Sequence, residues 1–374
     1  MLSSVLILAA LFGAAPASDD SRETTPPASR VMQGRPAFEG RAVWEHAGTG
    51  AFPGHWDRSA KLLADHGFNM VISNMLSSGE AHYASDVLPR SAVFREYGDQ
   101  IQQCCDAAKK YGLQVHVWKV CFNLLGASQE WREQLRRDGR TQVTMDGKFQ
   151  PWLCPSNPDN RKLELDAILE VACKYPVDGL HFDYIRYPGN QTCYCDGCRK
   201  RFEADSGQNV ADWPADCYAG TRKEDYNNWR CQQITALVEV VSREARRIRN
   251  GIKISAAVFP YPSCRQTRAQ DWPAWIKAGY LDFLCPMDYT PSEERFGATV
   301  AEELRLIDGR IPLYPGIGAT ATGMTLTRDQ VTAQIRKAKE LGAAGFTIFN
   351  FDAKTAESII PFCGPEATAE GSNP

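Results

Sequence analysis

The chain has 374 residues, 43% of them hydrophobic and 23% charged, with a formal net charge of −3. That composition can bury a large core, and it excludes wholesale disorder, collagen and coiled coil. With 42 basic against 45 acidic residues and no arginine-rich block, the chain lacks the basic stripe that phosphate backbones require, so nucleic acid is not an expected partner.

The first residues carry an apolar run from Val5 to Gly13 and then Ala15-Pro-Ala17, a small-x-small pattern that resembles a secretory cleavage site. The reading is a signal peptide over 1–17, a polar proline-containing linker over 18–35, and export to a secreted or periplasmic location. No later stretch reaches the roughly 18 uninterrupted apolar residues of a membrane span.

From Glu39 onward short β-type runs alternate with helical periodicity. Strands are expected at Gly40–Glu45, Asn69–Asn74, Gln114–Val120, Gly179–Tyr184, Lys253–Phe259, Asp282–Asp288, Ile311–Ile317 and Gly345–Asn350. Several are runs of apolar and small residues, as strands buried on both faces require. Between them, Ile234, Leu237, Val238, Val241, Ala245 and Ile248 form one stripe of a long amphipathic helix. Thr327 with Gln330 makes a capping box, and Asn157 before Pro158 fits an N-cap followed by proline at N1. Gly67, Gly112 and Gly342 each close a helix and feed a strand. Eight such units predict a (β/α)₈ TIM barrel over 36–363, with extended loops at its C-terminal face and a disordered tail over 364–374. Two loops exceed what a barrel needs. Residues 121–156 should hold a short helix near Gln129–Arg137 and a hairpin turning at Asp146-Gly147; residues 189–225 form a Cys-rich insertion.

The segment Asp178-Gly-Leu-His-Phe-Asp-Tyr-Ile-Arg-Tyr-Pro188 reads as the fourth strand and its exit. Period-two alternation puts His181 and Asp183 on one face and Leu180, Phe182 and Tyr184 on the other. A carboxylate at the C-terminal end of a barrel strand is costly to desolvate unless partnered, so Asp183 is either catalytic or the ion-pair partner of Arg186.

Together, Gly40-Arg-Ala-Val-Trp44, Gln114-Val-His-Val-Trp118, Trp152-Leu-Cys-Pro-Ser-Asn-Pro158, the Asp178–Pro188 segment and Leu284-Cys-Pro-Met-Asp-Tyr289 resemble, in that order, the glycosyl hydrolase-like 10 family. The resemblance covers nearly the whole mature chain and implies a TIM-barrel glycosidase; some members of that family act on bacterial cell-wall glycan. The Asp178–Asp183 strand also looks like the fourth strand of family 18 chitinases, but Ile185 stands where their acid glutamate would be.

Most glycosidases use two carboxyl groups. Asp183 and Asp288, at the ends of the fourth and sixth strands, are the expected catalytic pair, with Glu45 and then Asp352 in reserve. Trp44, Trp118, Trp152, Tyr187, Tyr261 and Tyr289 lie at or beyond strand ends, where aromatic faces suit sugar C–H surfaces. Glu45, Asn74, His116, Lys119, Arg186 and Asn350 are further candidates for binding substrate hydroxyls, and His181 is read as a buried partner of a carboxylate. No cofactor is expected, and carbohydrate is the expected partner.

The 13 cysteines are an odd number, leaving at least one outside any internal disulfide. Cys193, Cys195, Cys198 and Cys217 are expected in disulfides because export favours oxidation, with a structural zinc site on the same four thiols as the alternative. Two other functional readings stay open: a catalytically inactive glycan-binding barrel, and a metal-dependent hydrolase using His46, His116 and His181 with Asp183.

Overall fold

The computed structural model describes residues 38–365. The expected signal peptide and linker, and most of the expected tail, lie outside them.

Eight parallel strands form the barrel: β1 (Gly40–Glu45), β2 (Met70–Ser77), β3 (Gln114–Val120), β4 (Gly179–Asp183), β5 (Lys253–Val258), β6 (Phe283–Pro286), β7 (Gly316–Gly318) and β8 (Gly345–Phe349). They pair in chain order, and β8 pairs back on β1. The seam between β6 and β7 is closed by two isolated parallel bridges, Leu284 to Leu313 and Met287 to Gly316, so the barrel is nearly closed. β7 is shorter than expected because Pro312 and Pro315 have no N–H to offer the ladder.

The intervening helices are α1 (Trp56–Asp65), α2 (Gln100–Tyr111), α3 (Pro158–Lys174), α4 (Lys223–Ile248), α5 (Trp272–Lys277), α6 (Glu293–Ile307), α7 (Arg328–Leu341) and α8 (Ala353–Ser358). Asn157 caps α3 with Pro158 in its first turn, and the Thr327–Gln330 capping box opens α7. Gly112 and Gly342 take the left-handed conformation that ends α2 and α7. In α4, Ile234, Leu237, Val238 and Val241 are fully buried against the barrel. Each contributes about 1.5–3 kcal/mol by leaving water. Ile248 is 42% exposed, so the expected stripe ends at Ala245.

Two apolar layers result. One lies inside the barrel and includes Ala42, Trp44, Ile72, Trp118, Phe283 and Tyr314; the larger one lies between strands and helices. At the barrel floor the Tyr314 ring sits so close to Gly40 that a Cβ there would come within 2.4 Å of it.

A repeated device fixes the strand starts. Asn69 Oδ1 accepts from the N–H of Arg41 at 2.9 Å, Asp178 Oδ2 from Val115 at 2.8 Å, and Asp282 Oδ2 from Ile254 at 2.7 Å. Each acceptor stands just before a strand and holds the second residue of the preceding one, tying neighbouring strands at the bottom of the barrel.

The long loop after β3 contains the expected helix, Gln129–Arg137, and a hairpin of Thr141–Val143 with Phe149–Leu153, its turn at Asp146-Gly147. The loop after β4 holds the helix Asp196–Ser206 and one turn at Ala215–Tyr218. Among the described residues no helix is long and apolar enough to cross a membrane.

Asp178 thus belongs to the floor of the barrel, not to its chemistry. Asp178→Ala should cost about 1 kcal/mol in urea unfolding, the net worth of one hydrogen bond, while leaving ligand binding at the mouth unchanged. A loss of binding in a folded variant would contradict this assignment.

Candidate active site

At the C-terminal ends of the strands lies a cavity of about 360 Å³, whose walls include Trp44, His46, Trp118, Asp183, Tyr184, Arg186, Tyr289 and Phe349. Asp183 ends β4 and points inward, as alternation predicts. Its Oδ1 accepts from the Tyr184 backbone N–H at 2.6 Å and from Arg186 Nη1 at 3.1 Å. Both contacts fall on one oxygen, and among the described residues no donor meets Oδ2. The two side chains of this ion pair are only 7% and 6% exposed, so the pair is buried except toward the cavity.

Tyr184 was expected on the outer face. It has φ 53°, in the left-handed region that costs a non-glycine residue about 1 kcal/mol, and the alternation breaks there. Its ring turns into the cavity wall, packs 5.6 Å from Trp152, and lies 4.2 Å below the Arg186 guanidinium, which also covers Phe259 at 4.7 Å. These contacts offset the backbone cost and hold Arg186 against Asp183. Across the mouth, Tyr289 and Phe349 stack at 5.6 Å, and the exposed His46 ring sits edge-on to Trp118 at 5.7 Å and Phe349 at 6.1 Å. Partial burial lowers the His46 pKa and the nearby Asp183 charge opposes it, with the net shift downward.

Of the expected site residues, Trp44, Trp118, Asp183, Arg186 and Tyr289 line the cavity. Asp288 does not. Its backbone neighbours Met287 and Tyr289 face the mouth, so Asp288 faces outward, where its carboxyl meets that of Glu303 on α6. Among the described residues no donor reaches any of the four carboxyl oxygens, so burial favours the uncharged, protonated forms. Burial pushes Asp288 up to about 7 and Glu303 well above the usual range. The expected pairing of Asp183 with Asp288 across the mouth is therefore corrected.

Two other expected residues follow the same pattern. Glu45, next to Trp44, faces outward and accepts from the N–H groups of Ala47 and Gly48 and from the Ser73 hydroxyl. Lys119, next to Trp118, forms a buried ion pair with Glu164 at 2.8 Å. Adjacent strand residues cannot share a face, and in all three cases the aromatic takes the mouth and the charge takes the helix layer.

Other expectations also change. Trp44 Nε1–H donates to His181 Nε2 at 3.0 Å, and His181 Nδ1 pairs with the Ser255 hydroxyl at 2.8 Å. Because an indole only donates, His181 is neutral with its proton on Nδ1, and its partners are Trp44 and Ser255, not a carboxylate. His116 lies in the barrel, buried edge-on to Phe283 at 5.2 Å, and burial lowers its pKa to about 3. Among the described residues no set of His, Asp and Glu converges on a metal position, so the reading based on His46, His116, His181 and Asp183 is not supported. Asn74 donates to the His46 carbonyl, Asn350 accepts from the His46 N–H, and Asp352 caps α8. Tyr187 is buried beneath Arg230 and Tyr261 packs on Trp272. Trp152 supports the wall through Tyr184 and does not line it.

Residues 50–332 match the profile of the family described as Glycosyl hydrolase-like 10. The chain belongs to that family. Over 297 residues it is 22% identical to an S-layer-related protein of Niallia circulans, covering 65% of this chain and 18% of that one. Over 263 residues it is 24% identical to the glycosyl hydrolase DigH of Escherichia coli K12, covering 60% and 55%. The chain thus spans less than two thirds of either relative. Its barrel superposes on the PgaB (BpsB) glycoside hydrolase domain of Bordetella bronchiseptica with a TM-score of 0.66 at 15% identity, covering 88% and 96% of the two chains. It also superposes on alpha-L-fucosidase isoenzyme 2 of Paenibacillus thiaminolyticus with a TM-score of 0.65 at 15% identity, covering 88% and 49%. The fold is that of TIM-barrel glycoside hydrolases.

The Asp288–Glu303 pair makes stability depend on pH. Above the ordinary carboxyl range the unfolded chain has lost protons that the folded pair keeps, so stability should fall as pH rises from about 4 to about 7. The slope is up to about 1.4 kcal/mol per pH unit for each group. Asp288→Asn, whose amide donates to Glu303, should flatten this decline in unfolding midpoints measured at pH 5, 6 and 7. Parallel curves for the two proteins would show that the folded pair retains no extra proton.

Proposed function

We propose that the protein is an exported glycoside hydrolase whose barrel mouth binds a poly- or oligosaccharide and whose Asp183 acts directly on the glycosidic bond. The observation that carries this reading is the placement of Asp183. It is the one carboxylate among the described residues that lines the cavity, with one oxygen held by Arg186 and the Tyr184 N–H and the other directed to an aromatic-walled space. Trp44, Trp118, Tyr184 and Tyr289 supply apolar ring faces, while Arg186 and His46 supply polar contacts, a combination suited to sugar rings.

A single cavity carboxylate also bears on substrate choice. Some glycosidases that lack a second carboxyl at the bond use the substrate's own 2-acetamido group in its place. The favoured substrate is therefore an acetamido-sugar polymer, and cell-wall glycan, which the family resemblance implies, belongs to that class. The apolar run at Val5–Gly13 with Ala15-Pro-Ala17 supports delivery outside the cytoplasm. The same lone carboxylate favours one other reading, a glycan-binding barrel without turnover.

Purified protein should hydrolyse acetamido-sugar oligomers, and Asp183→Asn should lose at least about a hundredfold in turnover while retaining affinity, because the neutral isostere keeps the shape and removes the charge. Binding by both proteins with hydrolysis by neither selects the non-catalytic reading. Wild-type rates in Asp183→Asn would reduce Asp183 to an ion-pair partner of Arg186.

A further inference from the structure

The cysteines of the two long loops do not pair as expected. All thirteen thiols are unbonded, and Cys217 stands apart from the other three in its loop. Its place is taken by Cys154, from the residues just after the hairpin of the other loop. The sulfurs of Cys154, Cys193, Cys195 and Cys198 all lie within 4.8 Å of one another. Cys154 Sγ is 3.4 Å from Cys198 Sγ and 3.9 Å from Cys195 Sγ. These spacings are well beyond the roughly 2.05 Å of a disulfide. They match the sulfur–sulfur edge of about 3.8 Å that follows from a tetrahedron with metal–sulfur bonds near 2.3 Å.

We propose that these four thiolates form a structural zinc site that ties together the two long loops that follow β3 and β4. Four neutral buried thiols need nothing beyond apolar packing. This set instead has polar donors aimed at it. The Ser156 hydroxyl lies 3.2 Å from Cys154 Sγ and 3.3 Å from Cys198 Sγ, the Val143 N–H donates to Cys193 Sγ at 3.4 Å, and Arg201 Nη2 reaches Cys154 Sγ at 3.8 Å. Arg201 also donates to Ser156 through Nε at 3.1 Å and Nη2 at 3.0 Å. Zinc with four thiolates carries a charge of −2, and a guanidinium, a hydroxyl and a backbone N–H placed around the sulfurs offset it. Binding replaces four S–H protons with one Zn²⁺, with no change of oxidation state. All four valences are filled by protein, so the ion has no position for water or substrate and takes no part in hydrolysis. It fixes Cys154 two residues after Trp152, whose ring supports Tyr184 next to Asp183. The site is independent of the glycosidase reading.

Full-length protein purified under reducing conditions without added metal should contain about one zinc per chain by elemental analysis, and its zinc X-ray absorption should show four sulfur neighbours near 2.3 Å. Cys154→Ser and Cys195→Ser should each lower the retained zinc at least tenfold, and Cys217→Ser should retain it. The wild-type absorption spectrum decides the matter if the cluster variants fail to fold. Iron in place of zinc, a nitrogen- or oxygen-containing shell, no metal uptake from added Zn²⁺, or intact mass lower by two hydrogens per disulfide would each overturn the proposal.

Discussion

Closing a parallel sheet into a barrel gives every strand one row of side chains directed at the axis and one directed at the helices, and neighbouring residues must take opposite rows. Both the core and the mouth of this protein follow from that alternation. On β1, β3 and β6 the strand ends carry an aromatic beside a charge: Trp44 with Glu45, Trp118 with Lys119, and Tyr289 with Asp288. The aromatics reach the cavity and the charges are buried behind them.

Burying three charged residues between sheet and helices is tolerable only because each has a specific partner. Lys119 has Glu164, Glu45 has two backbone N–H groups and a hydroxyl, and Asp288 has the carboxyl of Glu303. The three solutions differ chemically: an ion pair, a cradle of donors, and a carboxyl pair that burial keeps protonated. Removing one partner leaves the other desolvated, so these groups act as fixed points of the upper barrel and not as reserve catalytic groups. Asp183 departs from this pattern because it ends a strand on the inward row, and because Arg186, three residues on, returns to meet it.

That return depends on the left-handed Tyr184, which reverses the chain at the strand exit and brings a second aromatic into the wall. Behind it stands Trp152, from the hairpin loop, and two residues further along the chain Cys154 meets three sulfurs of the loop leaving β4. Covalent neighbours of Asp183 therefore shape the Asp183 edge of the cavity, and Trp152 from the hairpin loop packs against one of them.

Alternation of strand and helix, helix caps at Asn157, Thr327 and Gly112, and the hairpin turn at Asp146-Gly147 are local signals, and all were legible in the sequence along with the inward face shared by His181 and Asp183. Family membership was also legible, since it rests on motif order along the chain. The sequence pattern further dictated that Trp44 and Glu45, or Tyr289 and Asp288, oppose each other, but not which of each pair faces inward; a charge at a strand end fits a mouth and a buried network equally well. That choice rests on partners such as Glu164 and Glu303, which come from helices distant in sequence. The position of Tyr184 required a backbone conformation that no local propensity favours. The fourth sulfur of the cluster lies 39 residues before Cys193 along the chain, so only the packing of one loop against another decides that Cys154, and not Cys217, completes it.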